Sequence, residues 1–124
     1  FIERANEVNL EMAQYVVNRV AADNGGSLKG KTVQVVGVAY KPNVADVRET
    51  PAELVIEELK KAGAVVTWSD DLVSNWMGTS STPLGGSEIA IVVTLHSATE
   101  PAAVLKSAPY VFDTTGKVKG AKSL

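Results

Sequence analysis

The spacing of apolar residues changes along this chain, and each change marks an element boundary. Over residues 2–22, Val8, Met12, Tyr15, Val16 and Val20 recur at helical spacing while Glu7, Glu11, Asn18 and Arg19 occupy other faces, which predicts a long amphipathic helix closed by Asn24-Gly25-Gly26. Phe1, Leu10 and Val17 lie off that stripe, so the helix has apolar side chains for a second surface. The run Thr32-Val33-Gln34-Val35-Val36-Gly37-Val38-Ala39 is then nearly continuous in hydrophobicity and rich in β-branched residues, as a parallel strand buried on both faces should be.

Thr50-Pro51-Ala52-Glu53 supplies an N-cap, a proline for the first helical position and a glutamate three residues after the cap, so a second helix starts there and runs to Ala62-Gly63. Ala64–Trp68 reads as a second strand, Ile89–Thr94 as a third and Tyr110–Asp113 as a fourth, with a short helix after Thr99-Glu100-Pro101. Residues 75–87 are rich in Gly, Ser, Thr and Pro and are expected to form a loop or one irregular turn; residues 114–124 show no apolar periodicity. The alternation predicts an α/β fold: a Rossmann-like, doubly wound, mainly parallel sheet of about four or more strands, preceded by a long N-terminal helix.

Composition narrows the function. The chain has 124 residues, 45% hydrophobic and 21% charged, enough for one domain with one sizeable core. No apolar run approaches the roughly 20 residues of a membrane span, and the first residues lack the basic region and cleavage site of a secretion signal. The absence of cysteine excludes disulfides, thiolate metal ligands and a thiol nucleophile from these residues. A net charge of −2 without basic clusters argues against nucleic acid as a partner. The chain starts at Phe1 inside a helical pattern, so the expectation is a portion of a longer protein.

The chemistry concentrates between Gly37 and Pro51, where a buried strand passes into a capped helix through a loop carrying Lys41 and Arg48. In open α/β sheets the binding crevice lies outside the carboxyl ends of the strands. Lys41 offers a compact charge for a phosphate or sugar oxygen, and Arg48 a fork of donors for bidentate contact. On composition alone the two read as surface cations, with Arg48 paired to Asp46 or Glu49. Gly25-Gly26-Ser27-Leu28-Lys29-Gly30-Lys31-Thr32 fits the P-loop pattern letter for letter, yet it follows a helix and opens a strand, the reverse of a phosphate-cradling loop. It reads as a solvated linker. A G-x-G-x-x-G cofactor loop is absent. His96, the one histidine, ends the third strand and reads first as a structural residue; alone it makes no usual metal site. Trp68 is expected in the core and Trp76 in loop packing.

The run Gly37-x-Ala39-Tyr40-Lys41-Pro42-Asn43-x-x-Asp46-x-Arg48-Glu49-x-Pro51 resembles the signature of the C-terminal, UDP-binding domain of the UDP-glucose/GDP-mannose dehydrogenase family. Arg4, Asn9 and Met12 match that family's upstream helix, Asp70 and Thr94-x-His96 match positions after the second and third strands, and Ala13 stands where the family often has proline. The resemblance implies that Tyr40 and Lys41 contact a UDP-sugar substrate and that Arg48 reaches an NAD cofactor held mainly by a separate N-terminal domain. It further implies a cytoplasmic, homodimeric oxidoreductase of polysaccharide biosynthesis that takes the sugar 6-hydroxymethyl to a carboxylate through a cysteine thioester. That cysteine is not among these residues, so the expectation is a substrate-side domain without catalytic residues of its own.

In that scheme residues 1–24 end a central dimerisation helix, 25–31 are a linker and 32–124 form the UDP-sugar-binding domain. Asp46 and Glu49 orient the loop, Gly37 permits close backbone approach, and the helix starting at Pro51 can help hold an anion. Many members carry an arginine after the Phe-Asp of the last strand. Here the run is Phe112-Asp113-Thr114-Thr115-Gly116, closer to dehydrogenases of N-acetylated UDP-hexosamines. A non-catalytic Rossmann-like module that senses a nucleotide or associates through the first helix is the alternative.

Overall fold

The computed structural model describes the backbone of residues 2–123 and the side chains of residues 9–123. Helix α1 (Ile2–Asp23) leads into β1 (Thr32–Val36), α2 (Pro51–Lys61) and β2 (Val65–Ser69). A small hairpin, β3 (Asn75–Trp76) and β4 (Thr79–Ser80), precedes β5 (Ile89–Val92), α3 (Pro101–Lys106), β6 (Tyr110–Asp113) and β7 (Lys122–Ser123). Five strands form one parallel sheet in the order β2-β1-β5-β6-β7. The chain first moves outward from β1 to β2, then returns to β1's other side with β5. That reversal is a topological switch point.

Side-chain alternation along the strands builds two core layers. Val33 and Val35 of β1, Ile89 and Ile91 of β5 and Phe112 of β6 face α1 and α2, whereas Val36, Ala90, Val92 and Val111 face α3 and the segment around Val118. Both faces are covered, which is why these strands lack the polar alternation of a half-exposed sheet. Gln34 is the buried polar exception in β1. Its amide donates to Thr82 Oγ1 at 2.9 Å and the Pro83 carbonyl at 2.8 Å, and its oxygen accepts from the Gly85 N–H at 2.9 Å. A buried amide thereby fastens the segment that crosses this face.

The cap of α2 forms as expected: the Thr50 hydroxyl accepts the Ala52 N–H, Pro51 opens the helix, and Gly63 follows its end at φ 86°. Four details differ from the sequence reading. First, β1 ends at Val36, because Gly37 at φ 83° turns the chain out of the ladder, although Val38 and Ala39 stay buried. Second, the buried stripe of α1 is Ala13, Val16, Val17 and Val20; Met12 and Tyr15 are exposed, and Val8 and Phe1 lie outside the described side chains. Residues 13, 16, 17 and 20 complete an i, i+3, i+4, i+7 face of small side chains, and this face packs α1 on α2 and the sheet.

Third, residues 75–80 form a hairpin whose two turn residues, Met77 and Gly78, both have positive φ, 51° and 76°. This is what a two-residue primed turn requires, and methionine is an uncommon residue for it. The hairpin is held by Trp68, whose indole N–H donates to Thr79 Oγ1 at 2.8 Å and whose ring meets Trp76 edge-on at 5.8 Å. Fourth, the tail contributes β7. Buried Asp113 accepts the Thr115 N–H and hydroxyl and the Val118 N–H, so a carboxylate, not an apolar repeat, turns the chain back along β6.

The end of α1 is tied to β6. The Tyr110 hydroxyl donates to Asp23 Oδ2 at 2.7 Å, Arg19 approaches Asp23 at 3.5 Å, and its guanidinium lies 5.9 Å from the Phe112 ring centre. Partial burial, then the bond to Asp23, raise the Tyr110 pKa.

Candidate functional site

The loop between β1 and α2 has a buried base and an exposed rim. At the base, Gly37 passes so close to Thr94 that a Cβ there would lie 1.8 Å from the Thr94 carbonyl oxygen. Only glycine combines that approach with a positive φ. Asp70, at the end of β2, accepts the N–H groups of Val38 (2.8 Å) and Ala39 (3.2 Å) with one oxygen and those of Leu72 (2.8 Å) and Val73 (3.2 Å) with the other. The Thr94 hydroxyl donates to the Ala39 carbonyl at 2.8 Å.

His96 completes the base and is 2% exposed. The Asn43 N–H donates to its Nδ1 at 2.8 Å, so Nδ1 carries no proton and the ring is the neutral Nε2–H tautomer. Nε2–H then donates to Asp70, 2.9 Å from Oδ1 and 3.1 Å from Oδ2. The structural role expected of His96 is what the structure shows. Asn43 and Ser97 had no role assigned from sequence. Asn43 sits at φ 65° and exchanges two bonds with Ser97, Nδ2–H to Oγ at 2.9 Å and Ser97 N–H to Oδ1 at 2.8 Å. An asparagine inside a Lys-Pro-Asn turn was the available signal, since asparagine tolerates the left-handed region.

The rim carries the three residues singled out from sequence. Tyr40 is 53% exposed and Lys41 is exposed beside it. Arg48, its side chain 86% exposed, makes the pairing that composition suggested: Nη2 lies 2.8 Å from Asp46 Oδ2 and Nε 3.1 Å from Oδ1. The bonds from the Arg48 side chain and N–H lower the Asp46 pKa to about 2, and Asp46 in turn raises that of Arg48. Tyr40, Asp46, Arg48 and Glu49 line one shallow depression; Lys41 is not among its lining residues. The Tyr40 N–H donates to the Asp46 carbonyl at 2.6 Å, closing the rim into a turn.

A second cleft, about 250 Å³, opens at the switch point between Gly37, Asp70, Asp71, Thr94, His96 and Glu100. Its charged lining is carboxylate: Asp71, which accepts the Thr99 hydroxyl, Glu100 and the inner Asp70. On the rim Lys41 and Arg48 stand beside Asp46 and Glu49 and the charges balance, whereas the cleft disfavours an anion. The start of α2 is similar. Thr50 already caps Ala52, and Glu49, Glu53 and Glu57 line the groove beside it, so that helix end faces carboxylates.

These residues do not fit the grip of a dinucleotide cofactor. The loop after β1 lacks the glycine-rich turn, the space next to Gly37 is filled by Thr94, and Asp70, where a ribose-binding acid would stand, has its oxygens engaged by backbone N–H groups and His96. Among the described residues, no group of three or more His, Cys, Asp or Glu converges to hold a metal ion, and no helix is long and apolar enough to cross a membrane.

Fold and loop together define a Rossmann-like domain whose loop at the carboxyl edge of the sheet rests on a bonded base and carries Lys41 and Arg48, with Asp46 and Glu49 beside them, on its rim. The sequence model of the UDP-glucose/GDP-mannose dehydrogenase family, UDP binding domain, matches residues 34–119. The chain belongs to this family and contains its UDP-binding domain. It is 33% identical over 102 residues to the UDP-N-acetyl-D-mannosamine dehydrogenase of Methanococcus maripaludis strain C7, covering 79% of this chain and 24% of that protein. With the UDP-glucose 6-dehydrogenase of Rhizobium meliloti it shares 36% identity over 69 residues, 56% of this chain and 16% of that one.

Among solved structures, the UDP-N-acetyl-mannosamine dehydrogenase from Staphylococcus aureus superposes with a TM-score of 0.70 at 25% identity, covering 94% of this chain and 29% of that one. The UDP-D-ManNAc dehydrogenase from Pyrococcus horikoshii gives 0.71 at 18% identity, over 97% and 31% of the respective chains. The latter shows the shared fold. The chain thus spans a quarter or less of the lengths of these two sequence relatives.

Proposed function

We propose that this domain is the substrate-side half of an NAD-dependent nucleotide-sugar 6-dehydrogenase, with Tyr40 and Lys41 contacting a UDP-sugar and Arg48 reaching toward the cofactor held by the rest of the protein. The observation that carries the reading is the division of the loop: a fully bonded base beneath a rim where Lys41 and Arg48 stand in solvent. Exposed cations suit a diphosphate, and the bonded backbone beneath them leaves side-chain ordering, not loop ordering, to binding. Arg48 retains donors beyond those given to Asp46, so the pair can orient the fork without exhausting it.

The substrate is a UDP-N-acetylhexosamine, which C6 oxidation converts to the uronic acid. Support comes from the N-acetylmannosamine dehydrogenases among the relatives and from the run Phe112-Asp113-Thr114-Thr115-Gly116, which carries no arginine after its Phe-Asp. Oxidation to the carboxylate needs a thiol nucleophile and a dinucleotide grip, and the residues here supply neither; this chain binds and orients. Residues 1–24 belong to the end of a central dimerisation segment, 25–31 link it, and 32–124 bind the UDP-sugar. Exposed Met12 and Tyr15 on α1 give a homodimer contact apolar side chains. The enzyme is cytoplasmic, where nucleotide sugars and NAD are available.

The test is steady-state kinetics of the full-length protein carrying this domain. Lys41→Ala raises the KM for the UDP-sugar, Arg48→Ala raises the KM for NAD, and unchanged constants in both variants contradict the reading. A non-catalytic module is favoured instead if the sequence preceding Phe1 holds neither a glycine-rich cofactor loop nor a cysteine.

A further inference from the structure

We infer that His96 is a positioning residue that fixes the Tyr40–Lys41 rim through Asn43. This rests on the reading that Tyr40 and Lys41 meet the UDP-sugar. A buried histidine is commonly just a satisfied core group, and the bond from Nε2–H to Asp70 would be enough for that. Nδ1, however, accepts the N–H of Asn43, a loop residue, at 2.8 Å. Asn43 has φ 65°, a left-handed conformation that asparagine tolerates better than most residues, and here it is also bonded from outside the loop. What holds it is the end of β5: His96 takes its N–H, and Ser97 takes and returns the two side-chain bonds.

Lys41 and Pro42 therefore stand between two anchors. On one side Tyr40 N–H donates to the Asp46 carbonyl at 2.6 Å; on the other Asn43 is bonded to His96 and Ser97. Proline fixes its own φ and restricts Lys41 before it. With both ends held, the direction in which Lys41 leaves the loop is set by the ring of His96. Asp70 fixes the tautomer of that ring from below and also carries Val38 and Ala39, so one carboxylate supports the loop directly and through the histidine.

The chemistry of the two ring nitrogens supplies the test. In His96→Asn the side-chain oxygen stands near Nδ1 and can accept the Asn43 N–H while the link to Asp70 is lost. In His96→Gln the amide reaches the Nε2 position and keeps Asp70 while the acceptor for Asn43 is lost. In the full-length protein with UDP-N-acetylmannosamine, His96→Ala and His96→Gln are expected to raise KM about tenfold with a smaller change in kcat, and His96→Asn to recover most of it. Lys41→Ala added to His96→Ala costs less than the product of the single effects, because a misplaced Lys41 has less to lose. Amide hydrogen exchange of Asn43 rises at least about tenfold in His96→Ala, whereas Val35 and Ile91 keep their protection.

Better recovery by Gln than by Asn, strictly multiplicative effects, or an Asn43 amide that stays protected in His96→Ala each overturns the positioning role and leaves the Lys41 reading intact. An unchanged KM in Lys41→Ala alone overturns that reading, and the inference with it.

Discussion

The base and the rim of the loop from Gly37 to Pro51 are only a few residues apart and obey opposite rules. At the base every buried side-chain polar atom among the described residues has a partner, and Gly37 lies against the Thr94 carbonyl at the edge of the cleft that Thr94 and His96 also line. At the rim Tyr40, Lys41 and Arg48 stand in water. Substitutions at the base should therefore act on folding first and on ligand second, and substitutions at the rim on ligand alone. On the proposed reading, the difference lets a domain keep charged groups exposed on a placed backbone: buried hydrogen bonds order the loop, and only the side chains remain to be ordered by a ligand.

The comparison breaks most visibly at Asp70. Asp70→Ala strips acceptors from four backbone N–H groups and from His96 at once, and a loss of about 4 kcal/mol is expected in chemical denaturation, since each buried orphan donor costs about 1–3. A loss below about 1 kcal/mol would show that the base is not what holds the loop. Gly37→Ala comes next, with about 3 kcal/mol from the forced shift against the Thr94 carbonyl and the strained φ. Thr50→Ala, at the far end of the loop, removes a buried cap and should cost about 1 kcal/mol in the same measurement.

Much of the base was legible and much was not, and the reasons are specific. Gly37 was legible because a glycine at the end of a β-branched strand serves a close approach or a positive φ, and here it serves both. The Thr50-Pro51 cap was legible because its chemistry is local. The network of Asp70, His96, Asn43 and Ser97 joins three segments distant in sequence, and no periodicity encodes such a meeting. The same limit applied elsewhere: β7 depends on the buried carboxylate of Asp113, and the Met77-Gly78 turn depends on Trp68 and Trp76 across the sheet edge. In α1, Ala13 and Val17 lost to Met12 and Tyr15 in a hydrophobicity pattern that ignores how closely small side chains let helices approach.

The rim sharpens the comparison with smaller effects. Asp46 titrates near 2 because Arg48 holds its charged form. Its folded pKa lies below the ordinary aspartate value of 3.8, so the pair is intact above that value and is lost only as pH falls through about 2. Across the neutral range it is constant, and its exposure keeps any effect on stability small. NMR titration should place the Asp46 midpoint near 2, and Arg48→Ala should return it toward 3.8; an unchanged midpoint would show that the pair does not persist in solution.

The central claim is that Lys41 belongs to the ligand and not to the fold. Lys41→Ala in the full-length protein, measured as KM for UDP-N-acetylmannosamine alongside thermal denaturation, tests it most directly. A charge-assisted contact is worth about 1.5–3 kcal/mol, so KM should rise about tenfold or more with the melting temperature unchanged. An unchanged KM, or a rise matched by a lower melting temperature, would contradict it.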